Sequence, residues 1–326
     1  TAFSIERLFD QLASIFQERG HQVDKIELPL YNNQLGNVWK NLKWARSQVR
    51  AKNKKQRQSV HHVTGDVNSI VFGLPRPSVI TIHDCNPLLR YAPSHPRHWF
   101  YRWIIFELPA RRAKAVTVIS EKTRTELLEM TNCPADKLHV IPNFVDPAFV
   151  HHPQEFNQAY PTILQIGVKE NKNISRLAKA LHGIPCKLSI VGKPSDHDLN
   201  TLKEQAIDFE WAAGISDEAL RNKYRDCDLL AFTSTYEGFG LPILEAQMTG
   251  RPVLTSDLSP HREVAGPNGA ELADPFSVEQ IRNGILNIIN NPTHRQNLVT
   301  AGHNNAARYH IEAVATRYLN LYASLA

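Results

Sequence analysis

The run Tyr236-Glu237-Gly238-Phe239-Gly240-Leu241-Pro242-Ile243-Leu244-Glu245-Ala246 puts one carboxylate ahead of a glycine turn and a second one inside the segment that follows. It comes directly after the apolar stretch Asp228-Leu229-Leu230-Ala231-Phe232-Thr233. The spacing predicts a strand, a tight turn and a helix with Pro242 at its first position, where the missing N–H of proline costs nothing. Gly238 and Gly240 allow the backbone to approach a ligand closely, and a helix start offers unpaired N–H groups and the positive end of the peptide dipole. A phosphate suits that start, while Glu237 and Glu245 suit the neutral hydroxyls of a sugar or a ribose. A sugar nucleotide carries both kinds of group. The plain alternative is a pair of solvated carboxylates around a helix start.

Other residues would serve the same chemistry. The apolar run Thr162-Ile163-Leu164-Gln165-Ile166-Gly167 leads into Lys169-Glu170-Asn171-Lys172-Asn173. Lys169 and Lys172, at the carboxyl end of a strand, stand where open α/β sheets bind ligands, and both would reach one diphosphate. In the first half, Val79-Ile80-Thr81-Ile82-His83-Asp84 reads as a strand that presents His83 at its end, with Asp84 placed either for the ligand or to cap the next turn. His62-Val63-Thr64-Gly65-Asp66 puts a glycine at a turn, and Gly214 follows Trp211-Ala212-Ala213 at another strand end.

The elements that position these residues alternate in type. Strands are expected near His21-Ile26, Ser59-Val63, Ser78-Ile82, Ala115-Ile119 and Lys137-Ile141, then near Thr162-Gly167, Lys187-Val191, Asp208-Trp211, Asp228-Thr233 and Pro252-Thr255, with helices between. That alternation is the signature of parallel sheets with helices on both faces. Ser120 and Ser216 stand at helix starts, and Ser277 with Gln280 reads as a capping box. Pro142-Asn143-Phe144-Val145-Asp146-Pro147 has the composition of a linker, and a terminal helix carries Ile311, Val314, Tyr318, Leu321 and Leu325 at helical spacing.

At 326 residues with 42% apolar content, the chain is long enough for two cores. It has no apolar run long enough to span a bilayer and no apolar signal core, which points to a cytoplasmic protein. Cys85, Cys133, Cys186 and Cys227 lack any paired spacing and read as buried thiols, not as a disulfide frame or a metal site.

Charge is unevenly spread. Up to Asp146 there are 21 Lys and Arg against 13 Asp and Glu, while the remainder has 16 against 19. Lys40, Lys43, Arg46, Arg50, Lys52, Lys54, Lys55 and Arg57 carry most of the excess, with no acid between Trp39 and Arg57. On a helical projection Leu35, Val38, Leu42, Ala45 and Val49 form one stripe, which makes 35–57 an amphipathic basic helix with Trp44 on its polar side. It would either dock on an anionic membrane surface at the inner face of the membrane or pack by its stripe and present a solvated face. Nucleic acid is not expected, because no recognition motif accompanies the charge.

The run from Tyr236 to Ala246, together with Gly250-Arg251-Pro252-Val253-Leu254-Thr255-Ser256-Asp257 and Arg262-Glu263-Val264-Ala265-Gly266, closely resembles the donor-binding signature of retaining glycosyltransferases of family four, which have the GT-B fold. The likeness covers most of the chain. It implies an α/β protein of two Rossmann-like domains facing across a cleft: an acceptor domain over 1–144, a nucleotide-sugar domain over 145–309 and a terminal helix over 310–326 that returns to the first. It further implies transfer of a hexose, with retention, from a UDP- or GDP-sugar to a hydroxyl of a glycan or lipid-linked acceptor. No metal and no cofactor are required, because the donor phosphate takes the acceptor's proton.

By the same resemblance His83, Glu237 and Lys172 are the catalytic set. The donor would contact Lys169, Gly167, Gly214, Gly238, Phe239, Gly240, Leu241 and Glu245, and Gly65, Asp66 and Asp84 would line the acceptor side. Two departures stand out. Lys169 takes the place of the family's usual arginine and so lacks its bidentate fork. The chain opens on Ser4-Ile5-Glu6-Arg7-Leu8-Phe9, already a helix pattern, where the family has a strand and a glycine-rich loop; either the sequence is truncated there, which is the favoured expectation, or the sheet lacks its usual first strand. The competing reading is a GT-B protein that binds a nucleotide sugar as a sensor or scaffold without turnover.

Overall fold

The computed structural model describes residues 5–29, 35–52 and 59–325. They form two compact units, one running to Asn143 and taken up again from Glu312, the other spanning Phe144–Ile311.

The first unit holds a four-stranded parallel sheet in the order β1 (His61–Val63), β2 (Ser78–Ile82), β3 (Ala115–Val118) and β4 (Leu138–Val140). β2 and β3 are buried at every residue, a state that a sheet reaches only when both faces are covered. The helix Ile5–Glu18 contributes Leu8, Leu12 and Phe16 to the interior. Within the terminal helix Ile311–Leu325, Ile311, Val314, Tyr318 and Leu321 are buried, as their spacing requires.

The stretch His21–Ile26, expected as a strand, is not one. Among the described residues no strand lies beside it to complete a ladder, and its backbone is tied by side chains instead. Trp44 Nε1 donates to the Glu27 carbonyl at 3.1 Å, and Lys52 Nζ donates to the Lys25 carbonyl at 3.3 Å. Ile26 and Leu28 still pack on the core, so the apolar alternation reports burial without pairing.

The basic helix runs Leu35–Lys52, and Lys54, Lys55 and Arg57 lie outside the described residues. Val38, Ala45 and Val49 are buried and Leu42 half-buried, as the stripe requires, while Trp44 is 43% exposed.

The second unit has a six-stranded parallel sheet in the order β10 (Glu271–Ala273), β9 (Val253–Ser256), β8 (Leu229–Phe232), β5 (Thr162–Ile166), β6 (Lys187–Val191) and β7 (Asp208–Ala212). β10 escaped the sequence reading, because three residues at a sheet edge carry too short a pattern. The chain winds outward from β5 through β6 to β7, then returns to the other side of β5 at β8 and winds out through β9 to β10. Neighbouring strands β5 and β8 therefore send their following loops in opposite lateral directions and leave a crevice at their carboxyl ends.

Ser120, Ser216 and Ser277 cap their helices through hydrogen bonds from Thr123 N, Ala219 N and Gln280 N. Only half of the expected capping box forms, since Gln280 Oε1 accepts from Asp274 N instead of from Ser277 N. The segment read as a linker is buried at Phe144, Val145 and Asp146, with Val145 N bonded to the Tyr309 carbonyl.

Arg251, in the motif that follows the second glutamate, is 3% exposed. It donates to the carbonyls of Tyr224 (3.0 Å), His152 (3.0 Å) and Arg225 (2.6 Å) and to Gln154 Oε1 (3.2 Å), joining three segments of the second unit. Truncation strands several buried acceptors at about 1–3 kcal/mol each. Arg251→Ala is expected to lower the urea midpoint of this unit by the equivalent of about 3 kcal/mol or more, and Arg251→Lys to rescue little because it lacks the fork. Near-wild-type midpoints for both variants would reject this role.

Candidate active site

The crevice between β5 and β8 brings together two of the predicted residues. After β5 the chain turns at Gly167, whose φ of 85° lies in the left-handed region. A Cβ there would lie 2.9 Å from Lys172 Cε, so the glycine leaves the space that the lysine stem crosses. A short 3-10 turn, Glu170–Lys172, follows, and Asn173 adopts φ 64°, a conformation that asparagine tolerates better than most residues. Asn173 Nδ2 reaches the carbonyls of Thr233 (3.0 Å) and Pro275 (2.7 Å), which fastens this turn to the end of β8.

From the β8 side comes Glu237. Lys172 Nζ lies 2.5 Å from Glu237 Oε1, with the two side chains 15% and 17% exposed. The ammonium also sits 4.6 Å from the centre of the Phe232 ring. Asn171, which the sequence reading did not single out, donates to the Tyr236 carbonyl at 2.7 Å, and Thr235 N donates to the Asn171 carbonyl at 2.8 Å. Those reciprocal bonds lock the two loops in register. Thr233 Oγ1 and Ser234 Oγ, at the end of β8, are buried without a hydrogen-bond partner among the described residues.

The turn ends at Gly240, φ 117°, which precedes the helix Leu241–Thr249. Pro242 therefore occupies the second helical position and not the first, since the left-handed glycine starts the helix one residue early; the N–H missing there is still one that has no partner within the helix. Phe239 is buried with its ring 5.9 Å from Tyr309, and Leu241 is half-buried.

Glu245 does not join the Lys172–Glu237 pair. It is 2% exposed, and its Oε2 accepts from the Tyr224 hydroxyl at 2.5 Å. Burial and the adjacent carboxylate push the Tyr224 hydroxyl well above its ordinary pKa, so it stays protonated and donates. Lys169 also stands apart: its carbonyl accepts from Lys172 N at 2.7 Å, but its exposed side chain forms no ion pair with a described residue. Gly214 is exposed with φ 64° at the turn after β7.

The first unit positions the remaining set. His83, 7% exposed at the end of β2, places Nε2 2.7 Å from the Thr64 carbonyl. A carbonyl only accepts, so Nε2 carries a proton and donates this bond. Asp84 Oδ1 accepts from Asn86 N at 3.0 Å, the turn-capping arrangement, and burial together with Asp66 holds its carboxyl above the usual range. Asp66 is exposed. The turn at Gly65 exists, with Val67 N bonded to the Gly65 carbonyl, but Gly65 has no positive φ and nothing stands within 4 Å of a Cβ there, so the turn does not demand glycine.

Behind His83 runs a polar ladder. His62 Nδ1 meets the Tyr322 hydroxyl at 2.7 Å and His62 Nε2 meets Thr81 Oγ1 at 2.7 Å, with Thr117 Oγ1 2.6 Å further on. Phe9 packs edge-on against His62, His83 and Tyr318. Sequence reading missed His62 because only its spatial partners, from β2 and the terminal helix, distinguish it. Among the described residues no group of three His, Cys, Asp or Glu is placed to hold a metal ion.

Comparison with known proteins agrees with this architecture. The family model described as Glycosyltransferase Family 4 matches residues 5–149, and that described as Glycosyl transferases group 1 matches 149–305. The chain belongs to the group 1, family four glycosyltransferases and has the GT-B fold. It is 28% identical over 236 residues to O-antigen chain mannosyltransferase B of Escherichia coli, a match spanning 65% of this chain and 61% of that protein's length. Among solved structures it resembles sucrose-phosphate synthase from Thermosynechococcus elongatus, with TM-score 0.79, 19% identity and coverage of 97% and 92%. It also resembles Anabaena HepE in complex with UDP and glucose, with TM-score 0.76, 16% identity and coverage of 100% and 97%.

Burial and the nearby His83 push the His62 ring down to a pKa of about 3, against about 6.5 in an unfolded chain. As pH falls below about 6.5 the unfolded state takes up the proton first, so the stability that neutral His62 contributes is lost progressively toward about pH 3. The difference in unfolding free energy between the wild-type chain and His62→Gln is expected to shrink by about 2 kcal/mol from about pH 7 to about pH 5. A difference that stays constant over that range would contradict the assignment.

Proposed function

We propose that this chain transfers a hexose, with retention of configuration, from a nucleotide-sugar donor to a hydroxyl of a glycan or lipid-linked acceptor. The observation that carries the reading is the Lys172–Glu237 pair, 2.5 Å apart at the point where the strand order of the second sheet reverses. Without a ligand the two charges neutralise each other. A diphosphate in the crevice would draw Lys172 to itself and release Glu237 to accept hydrogen bonds from sugar hydroxyls. Amides at the start of Leu241–Thr249 would supply further positive potential, so the leaving diphosphate is stabilised without a metal ion. The unpartnered hydroxyls of Thr233 and Ser234 would become additional ligand contacts.

Glu245 would serve the ribose after a small movement away from Tyr224. His83 would touch the transferred sugar or the reaction centre. The acceptor's proton passes to the departing phosphate oxygen, and no protein nucleophile is needed. Mannose is the transferred sugar favoured by the relative in Escherichia coli, which is named for that activity, while the UDP and glucose bound by HepE keep a uridine donor in the panel.

The test uses UDP- and GDP-hexoses with glycan acceptors, and reads both the rate and the anomeric configuration of the product. Transfer with the donor's configuration kept, at a rate that a chelator does not change, is expected. Glu237→Gln and Lys172→Ala should each lower kcat/KM by about 10²–10³, the scale set by losing one electrostatic contact in a transition state. Rates close to wild type in both variants would reject this site. Donor binding without turnover on any acceptor would favour the sensor or scaffold reading instead.

A further inference from the structure

The basic helix Leu35–Lys52 has a second face that the transfer chemistry does not use. Its buried residues Val38, Ala45 and Val49 pack inward, and a Cβ at Gly73 would stand 3.0 Å from the Leu42 carbonyl, so this helix lies tightly on the segment Asn68–Gly73. At about 100° per residue, Trp39, Lys43, Arg46 and Arg50 fall within about 60° of one another on a separate face, with Lys40 flanking them. All five are exposed, and Trp39, at 66%, is the most exposed large apolar side chain among the described residues. Phe72, beside Gly73, is 45% exposed.

The cations of this stripe have no internal counterpart. Lys52, at the helix end, pairs with Asp24 at 3.5 Å, whereas Lys40, Lys43, Arg46 and Arg50 form no ion pair with a described residue. Other surface cations of the same unit are neutralised in place, such as Lys25 by Asp10 and Glu27, and Lys122 by Glu126. A row of unmatched charges around one solvated indole is unlike a merely soluble face, where acids normally alternate with bases. An indole suits the boundary between headgroups and acyl chains, and Lys and Arg suit anionic headgroups.

We infer that the stripe Trp39, Lys43, Arg46 and Arg50 docks the first unit on a bilayer surface bearing anionic lipid headgroups. Charge complementarity brings the helix down, and Trp39 enters the interface. The helix lies in the plane of the surface, since its other side stays packed on the protein. Among the described residues no helix is long and apolar enough to cross the bilayer, so this contact is a surface one. The inference stands apart from the donor site, and its failure would leave the transferase reading untouched.

The full chain is tested by co-sedimentation with phosphatidylcholine vesicles, with and without phosphatidylglycerol. Binding to the anionic vesicles alone is expected, weakening as ionic strength rises from about 0.1 to about 0.5 M. The triple variant Lys43→Ala/Arg46→Ala/Arg50→Ala should lose about a hundredfold in affinity, from about one multiplicative step of fivefold per cation. Its unfolding midpoint and donor binding should stay at wild-type values, because these exposed side chains form no ion pair with a described residue. Trp39→Ala should weaken binding while keeping the salt dependence. Glycerol 1-phosphate in solution should not displace the protein, since one headgroup lacks a surface. Equal binding to both vesicle types, unchanged binding by the triple variant, displacement by the soluble phosphate, or tighter binding to an oligonucleotide at equal phosphate concentration would each overturn the inference.

Discussion

Parallel strands cannot be joined by tight turns, and that constraint organises the second unit. Each strand must be followed by a crossover, and a sheet that winds outward from β5 and then returns to β8 has one position where adjacent crossovers leave on opposite sides. A crevice opens at the carboxyl ends of those two strands. Lys172 and Glu237 meet at that position because one follows β5 and the other follows β8, although 65 residues separate them in sequence. The crevice is thus a product of topology, and its chemistry comes from whichever residues end those two strands.

Holding opposite charges together in a partly buried crevice requires a rigid frame, because long side chains lose conformational freedom on pairing. The frame is polar and local. Asn171 accepts from Thr235 N and donates to the Tyr236 carbonyl across the two loops, Asn173 ties its turn to β8, and Gly167 opens the path for the lysine stem. Arg251 secures the outer segments on the same unit with four hydrogen bonds. A charge pair so framed is restrained in position yet weakly committed in energy, since both partners keep some contact with water. That combination suits a site whose charges must re-partner when an anion arrives.

The first unit solves a different problem. Its sheet carries hydroxyls and an imidazole on a covered face, and buried polar groups must find one another or lose stability. Tyr322 and Tyr318 from the far end of the chain complete that ladder, so the terminal helix is held by directional bonds as well as by its apolar stripe. Phe9 bridges the ladder to His83, which links the setting of that ring to the helix Ile5–Glu18.

Much of this was legible in the chain itself. Alternating apolar runs located nine of the ten strands among the described residues to within a residue or two, because burial on both faces leaves a continuous apolar signal, and Ser120, Ser216 and Ser277 announced their helix starts through hydrogen bonds made within one turn. The glycine turn at Gly240 and the packing stripe of the basic helix were readable for the same reason: their causes are local sterics and periodicity. The His21–Ile26 stretch failed because a strand needs a neighbour to accept its hydrogen bonds, and no local pattern supplies one. Pairing was likewise decided only in three dimensions. Lys172 took Glu237 while Lys169 stayed in solvent, Glu245 turned to Tyr224, and His62 became a half-buried ring bonded between β2 and the terminal helix. Sequence determines which groups are available at the end of each strand; which of them come within hydrogen-bonding distance depends on sheet order, since electrostatic and polar contacts act over a few ångströms of space and take no account of distance along the chain.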